Sequence, residues 1–361
     1  MSIRKPRLQD IAKKLNISAA SVSRALADNP RISEALRKRV HAAAAEMGYV
    51  PNTAARALRT GKPDMAALMV PNLAVLRMGK NLEVLQAIDE ELGQHGIRLL
   101  VASYHQPSLV PATMRKVLAD PRLAGLLFVT NYITEPLIEI LRKSTCPTVL
   151  ANAYPERSWE KWKGVYASGS ENLVGSEMAT RYLIQNGHTR IGAFVCEPGL
   201  RDADLREEGF SYAMSQAEIE VDPRHIVRCD FLRGVETGYR AVSRLLTATG
   251  PKQRPTAIFC SSDEIAAGAL SGLAEVGIRV PEDIEVIGFG NHPLAIALAP
   301  SLTTITHDGE AVGRGAARLF LEIVEGREPA ETQLLQPAEL IIRKSTLPHA
   351  VPVRKKNVAP V

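Results

Sequence analysis

Apolar positions in the first fifty residues recur at helical spacing. Leu8, Ile11, Ala12 and Leu15 fall on one face of a short helix, and Ser18 is placed to cap a second that carries Val22 and Leu26. Asp28-Asn29-Pro30 ends that helix. Ser33 can cap a third, with Leu36, Val40, Ala44 and Met47 along it and Gly48 to stop it. Short helices with a tight turn between the first two predict a small all-α helix-turn-helix domain over residues 1–51. The second helix of such a motif enters the DNA major groove. Residues 52–63 read as one further short helix and a linker, closed by Gly61-Lys62-Pro63.

Beyond the linker the rhythm changes. Short apolar runs at Met65–Val70, Arg98–Ser103, Gly125–Thr130, Thr148–Ala151, Arg190–Val195, Thr256–Cys260 and Ile284–Phe289 alternate with amphipathic stretches such as Leu82–His95 and Ser262–Val276. Buried strands separated by helices indicate βαβ units and parallel sheets. The length favours two similar lobes over one open sheet, so residues 64–345 are expected to form a two-lobed α/β core. Ligands of such sheets bind at the carboxyl ends of the strands, which places the pocket in the cleft. From Thr346 the chain carries Pro348, Pro352, Pro360 and a basic run without heptad leucines; a frayed tail over 346–361 is expected, with no coiled coil.

Charge sharpens this division. Residues 1–62 hold 13 Lys+Arg and 4 Asp+Glu, a net +9, whereas the rest hold 31 and 35, a net −4. A basic head on a mildly acidic body suits a polyanion-binding module joined to another function. With 45% hydrophobic residues the chain can bury a sizeable core. No apolar run reaches the roughly 20 residues that span a bilayer, and the start has no secretory pattern. Cys146, Cys196, Cys229 and Cys260 are far apart and sit in apolar, strand-like stretches, as expected of thiols buried in a reducing cytoplasm.

Leu8-Gln-Asp-Ile-Ala-Lys-Lys-Leu-Asn-Ile-Ser18 with Val22-Ser23-Arg24, and Gly48-Tyr49-Val50-Pro51-Asn52 with Ala55, Leu58 and Arg59, resemble the head of lac repressor family regulators. Gly187-His188, Arg206-Glu-Glu-Gly-Phe210, Pro255-Thr-Ala-Ile-Phe259, Ser262-Asp263, Val280-Pro281-Glu-Asp283 and Leu302-Thr-Thr-Ile305 extend the resemblance, in order, over nearly the whole chain. It implies a periplasmic-binding-protein-like core acting as a homodimer on a palindromic operator in double-stranded DNA. It also implies a small-molecule effector, no cofactor and no metal.

The resemblance assigns DNA-facing roles to Leu8, Ser18, Ala19, Ala20, Ser21, Ser23, Arg24, Asn29, Asn52, Ala55, Leu58 and Arg59. Arg24, opposite Val22 and Leu26, can fork onto guanine O6 and N7, or touch phosphate alone. Ala19 and Ala20 stand where family members place specificity side chains; they can pack on a thymine methyl or simply favour helix. Ser18, Ser21, Ser23 and Asn29 suit phosphate oxygens. Leu58 matches the family's minor-groove lever, with Arg59 beside it and Asn52 at the hinge start; the alternative is a leucine packed on its own helix.

In the core the resemblance points to Lys80, Asn81, Asn152, Arg206, Phe231, Asp263, Gly290 and Asn291 as effector-binding. Arg206 aligns with an arginine that grips effector hydroxyls or carboxylates, a task that suits its planar fork. Phe231 can floor a ring or pack the core, Asp263 can accept effector hydroxyls or cap its helix, and Lys80 is equally a plain surface lysine. The family commonly carries Asp where this chain has Gly290 and Asn152. Fewer carboxylates, with Arg206 and Lys80 present and His292 as a further donor, suit an acidic ligand such as a gluconate-type sugar acid. A neutral sugar or a nucleobase is the alternative.

A solute-binding protein with the same core leaves the basic head unexplained. An enzyme finds no support in a GxSxG, a P-loop, a GxGxxG after a strand or a metal-spaced His/Cys set.

Overall fold

A computed structural model describes residues 6–26, 28–49, 63–77, 80–130, 133–153 and 162–347. Two compact units, Met1–Asp64 and Met65–Val361, divide the chain.

In the first unit, helices α1 (Leu8–Leu15), α2 (Ala19–Leu26) and α3 (Glu34–Glu46) bury Ile11, Ala12, Val22, Ala25, Val40, Ala43 and Ala44 against one another. Ser18 Oγ accepts from the Ser21 amide at 3.0 Å, and Ser33 Oγ accepts from the Leu36 amide at 3.4 Å. Both hydroxyls therefore act at the helix starts where the pattern put them. Asn16 adopts φ +53 at the turn, a left-handed conformation that Asn tolerates better than most residues.

The second unit is built on two six-stranded sheets. Lobe 1 holds β1 (Met65–Val70), β2 (Arg98–Ser103), β3 (Leu123–Val129), β4 (Thr148–Ala151), β5 (Tyr166–Ser170) and β11 (Gln333–Gln336), in the order β11-β5-β4-β3-β1-β2 and wholly parallel. Helices α4 (Asn81–Gln94), α5 (Val110–Leu118), α6 (Glu135–Arg142) and α12 (Gly309–Val324) flank it. Lobe 2 holds β6 (Ile191–Cys196), β7 (Ile226–Cys229), β8 (Ala257–Cys260), β9 (Glu285–Gly290), β10 (Thr303–Thr306) and β12 (Leu340–Ile341) in the order β12-β10-β9-β8-β6-β7. Here β12 runs antiparallel to β10. Its helices are α7 (Asn172–Gln185), α8 (Arg201–Gln216), α9 (Gly234–Gln253), α10 (Asp263–Glu275) and the short α11 (Leu294–Ala297).

Each sheet buries an apolar cluster on both faces, which is why central strands such as β1, β3 and β6 read as continuous apolar runs, whereas the edge strand β2, expected to be buried, leaves Leu100 and Val101 exposed. Where α9 crosses α10, a Cβ at Gly268 would lie 2.0 Å from the Val235 carbonyl, so only glycine permits that approach. Among the described residues the chain passes between the lobes at 171, 307–308 and 337–339.

Several strands escaped the sequence pattern. β5, Tyr-Ala-Ser-Gly-Ser, is rich in small polar residues, and β10 to β12 are very short. Cys196, Cys229 and Cys260 are buried strand thiols as expected, and burial pushes Cys196 up to about 11 and Cys229 up to about 12. Cys146 departs from expectation: it is half-buried and precedes β4, in contact with the Ser144 and Thr148 hydroxyls. Thr346 and Leu347, expected at the start of the tail, are held to the packed core, and the rest of the expected tail, 348–361, lies outside the described residues. Thr346 is buried with its hydroxyl 2.8 Å from that of Thr303, and the Leu347 amide donates to Glu285 at 3.1 Å. Among the described residues no helix is long and apolar enough to cross a membrane.

Candidate functional site

On the head, α2 turns Val22 and Ala25 into the core and leaves Ala20 and Arg24 exposed, with Ser21 and Ser23 half-buried. The structure separates the two alanines: Ala19 packs on the head's apolar cluster, while the Ala20 methyl faces outward. Leu8 likewise packs on that cluster. Ser18 is exposed but shares its hydroxyl with Ser21 at 2.9 Å, and Asn29 Oδ1 accepts from the Arg31 amide at 2.9 Å. Each can still meet a phosphate with its remaining capacity. Asn52, Ala55, Leu58 and Arg59 lie outside the described residues.

In the core, the carboxyl ends of strands from both lobes converge on Arg206 of α8. The residue is only 5% exposed. Nε donates to Asn172 Oδ1 at 2.9 Å, Nη1 to the Ser261 carbonyl at 2.8 Å, and Nη2 meets His307 Nδ1 at 3.4 Å. Its carbon lies 4.0 Å from the Phe289 ring centroid, a cation–π contact that burial strengthens. None of these partners is a carboxylate. Asp202 and Asp263 act on it only through space, and burial lowers the guanidinium from its ordinary value without neutralising it.

His307 follows β10 and was missed by the sequence reading. The signal that points to it is its place directly beyond the carboxyl end of the Leu302-Thr-Thr-Ile305 segment, where cleft residues of such sheets stand. Its Nε2 lies 2.8 Å from Asn152 Oδ1, the Asn152 amide donates to Asn81 Oδ1 at 2.7 Å, and the Asn81 amide donates to the Val75 carbonyl at 2.9 Å. Arg206 can only donate, so Nδ1 must be the lone-pair nitrogen and Nε2 must carry the hydrogen. Burial, with the charges of Arg206 and Lys80 beside it, depresses the imidazole to about 3, so the ring is neutral. Arg206, His307, Asn152 and Asn81 thus form one directed line of hydrogen bonds from lobe 2 into lobe 1.

The other core candidates sit apart from that line. Asp263 is fully buried, and Ser262, not Asp263, caps α10. The Asp263 carboxylate accepts from the Thr304 hydroxyl and the His292 amide, both at 2.6 Å, and burial pushes it up to about 6. Gly290 has φ +126, a conformation that L side chains rarely adopt, so the backbone itself disfavours an aspartate there. A Cβ at Gly290 would lie 3.8 Å from Asp263 Oδ2, so a carboxylate still occupies this corner. Asn291 Oδ1 accepts from Arg343 at 2.7 Å. His292 Nδ1 accepts from the Leu294 amide at 3.2 Å. Lys80 is buried and donates to Glu83 at 2.8 Å, so its charge is already matched, contrary to the expectation of a cation free for a ligand. Phe231 begins a short 3-10 turn after β7; its side chain lies outside what the structure describes.

Lys80, Glu83, Asn291, His307, Asp308 and Glu339 help to line a cavity of about 340 Å³ at the lobe crossings. Among the described residues no group of three or more His, Cys, Asp or Glu could hold a metal ion.

The profile of bacterial regulatory proteins of the lacI family matches residues 7–52, and that of the periplasmic binding protein-like domain matches residues 180–346. The chain is 31% identical over 340 residues to the HTH-type transcriptional repressor CytR of Escherichia coli (strain K12), covering 94% of this chain and 96% of that protein. It is 32% identical over 342 residues to the HTH-type transcriptional repressor PurR of Escherichia fergusonii, with the same coverage of 94% and 96%. Among solved structures, the lac repressor dimer bound to operator and the anti-inducer ONPF shares the fold, with a TM-score of 0.84 at 22% identity over 96% of this chain and 100% of that one. The transcriptional regulator CelR–cellobiose complex has a TM-score of 0.68 at 25% identity, covering 94% of this chain and 99% of that one.

Proposed function

The chain belongs to the lacI family and is a DNA-binding transcriptional repressor with a ligand-binding core, and on that premise we propose that a small polar effector held at Arg206 controls its operator affinity. The reading is of a homodimer on a palindromic site, with Arg24 reading bases from the exposed face of α2 and Leu58, Asn52, Ala55 and Arg59 serving the hinge. Regulation follows if the effector binds the DNA-competent and DNA-incompetent arrangements with different affinity.

One observation carries the effector reading: Arg206 is a buried guanidinium at the boundary of the lobes, and among the described residues its hydrogen-bond partners include no carboxylate. A carboxylate on a ligand would find there the charged, hydrogen-bonded partner that offsets its desolvation. This supports a polyhydroxylated acid of the gluconate type.

The second reading, a neutral sugar or a nucleobase, is favoured by the Lys80–Glu83 pairing and by the Asp263 carboxylate beside Gly290, which together remove much of the argument for an acid-poor cleft. That the CelR structure holds cellobiose also supports it. Calorimetry of the full chain against gluconate, its neutral parent sugar and adenine decides between them. Tighter binding of either neutral compound sinks the acid, and titration of operator DNA with and without the bound compound tests the regulatory link.

A further inference from the structure

We infer that His307 is a latch between the two lobes, its ring bridging Arg206 of lobe 2 and Asn152 of lobe 1 in the place an effector must take to reach that arginine. The inference rests on the effector reading of the cleft and adds how the site is held before a ligand arrives.

Position is the first support. His307 lies in the crossing from β10 to α12, so it belongs to neither sheet, and the residue is 5% exposed. Direction is the second. The two ring nitrogens face opposite lobes, at 3.4 Å from Arg206 Nη2 and 2.8 Å from Asn152 Oδ1. Every donor along the line meets an acceptor, through Asn152 and Asn81 to the Val75 carbonyl. A satisfied buried network of this kind holds one arrangement strongly, because breaking it leaves unpaired polar groups in a low dielectric. Burial is the third: Asn152 is 4% exposed and Asn81 1%, so the amides that continue the line into lobe 1 are shielded from water.

The latch defines the chemistry of its competitor. A ligand replacing the ring must give Arg206 an acceptor and Asn152 Oδ1 a donor. A carboxylate alone meets only the first requirement. A carboxylate with an adjacent hydroxyl meets both, as does a ring nitrogen beside an N–H.

The test measures the distance between lobes in the full chain without ligand or DNA. Spin labels at Gln94→Cys on α4 and Lys252→Cys on α9, both exposed, are placed in a Cys146→Ser background and diluted with unlabelled chain; the other cysteines are buried. Double electron–electron resonance should give a narrow distribution for this parent and a broader, longer one for His307→Ala. His307→Gln should return to the parent distance, since a carboxamide offers the same acceptor and donor. Asn152→Gly is the second route, because glycine keeps the φ +60 backbone while deleting the amide. It should open the lobes as His307→Ala does, and it carries the test if His307→Ala fails to fold by circular dichroism. Parent distances in both His307→Ala and Asn152→Gly overturn the latch, as does opening of His307→Gln equal to that of His307→Ala. Gel shifts on the same samples report on the repressor reading separately: loss of operator binding in the parent would sink that reading and leave the latch standing.

Discussion

Arg24 on α2 and Arg206 on α8 are both helical arginines proposed to recognise a ligand, and they live under opposite rules. Arg24 stands on the exposed face of a helix whose other side packs the head's core. Arg206 is 5% exposed and is held by Asn172, Ser261, His307 and the face of Phe289. The difference teaches how one chain separates two tasks. DNA is large and comes to a surface, so the head needs only a stable scaffold that presents free side chains. A small effector must be surrounded, so the core's groups are buried and must be satisfied by one another until it arrives. Recognition in the head is therefore separable from stability, and recognition in the core is not.

Arg206→Ala should break that comparison most sharply. It deletes the buried hydrogen bonds that Arg206 donates to Asn172 Oδ1 and the Ser261 carbonyl, so core unfolding should lose about 3–5 kcal/mol in addition to the effector response. Both tryptophans, Trp159 and Trp162, lie in the core sequence, so urea unfolding followed by their fluorescence reads the loss. An unchanged midpoint would mean that the core arginine is as free as the head's.

Arg24→Ala should cost operator affinity about 1–3 kcal/mol, with a flattened preference at one base pair per half-site. Its melting temperature should match the parent. Equal weakening on random DNA in a competition binding assay would reduce Arg24 to a phosphate contact.

The pH response should also separate the regions. His307 sits near 3 in the folded core against an ordinary 6.5, so its contribution to stability is complete above about pH 6.5 and is lost as pH falls toward 3. Asp202 and Asp263, both raised to about 6 by burial, act with the opposite sign: they favour the folded state below about pH 4, and that advantage disappears as pH rises to 6. Comparison of parent with His307→Gln isolates the histidine. The parent's stability relative to that variant should fall by about 1 kcal/mol between pH 7 and 5.5, read by urea unfolding at each pH. A constant difference would show that the ring is not held neutral.

The smallest effect belongs to the head's surface. Lys38 pairs with Glu34 at 2.8 Å, but both side chains are more than 70% exposed. Lys38→Ala should change head stability by less than about 0.5 kcal/mol in a salt-matched thermal melt. A larger loss would show that head surface charges carry stability after all.

Much of this architecture was legible in the chain because it depends on neighbours a few residues apart. Val22 and Leu26 against Arg24 set the face of α2, Ser18 and Ser33 mark helix starts, and the run Met65–Val70 declares a buried strand through its own composition. The basic head and acidic body, and the motifs from Leu8 to Ile305, are likewise readable without a fold. Even the Lys80–Glu83 pair, three residues apart across the start of α4, depends on neighbours in sequence.

What tertiary structure alone decided is which groups meet in the cleft. Asn81 and Asn152 are 71 residues apart, Asn152 and His307 155, and Arg206 and His307 101. No periodicity encodes such pairs; they are set when two separately twisted sheets bring their carboxyl edges together. The same assembly closed the notch at Gly288 around the Asp263 carboxylate, where a Cβ would stand 2.3 Å from Oδ1. It also gave a histidine the low-dielectric, positively charged surroundings that keep it neutral. Local propensity fixes what each segment is, but desolvation and partnership, which depend on everything packed around a group, fix what its polar side chains can do.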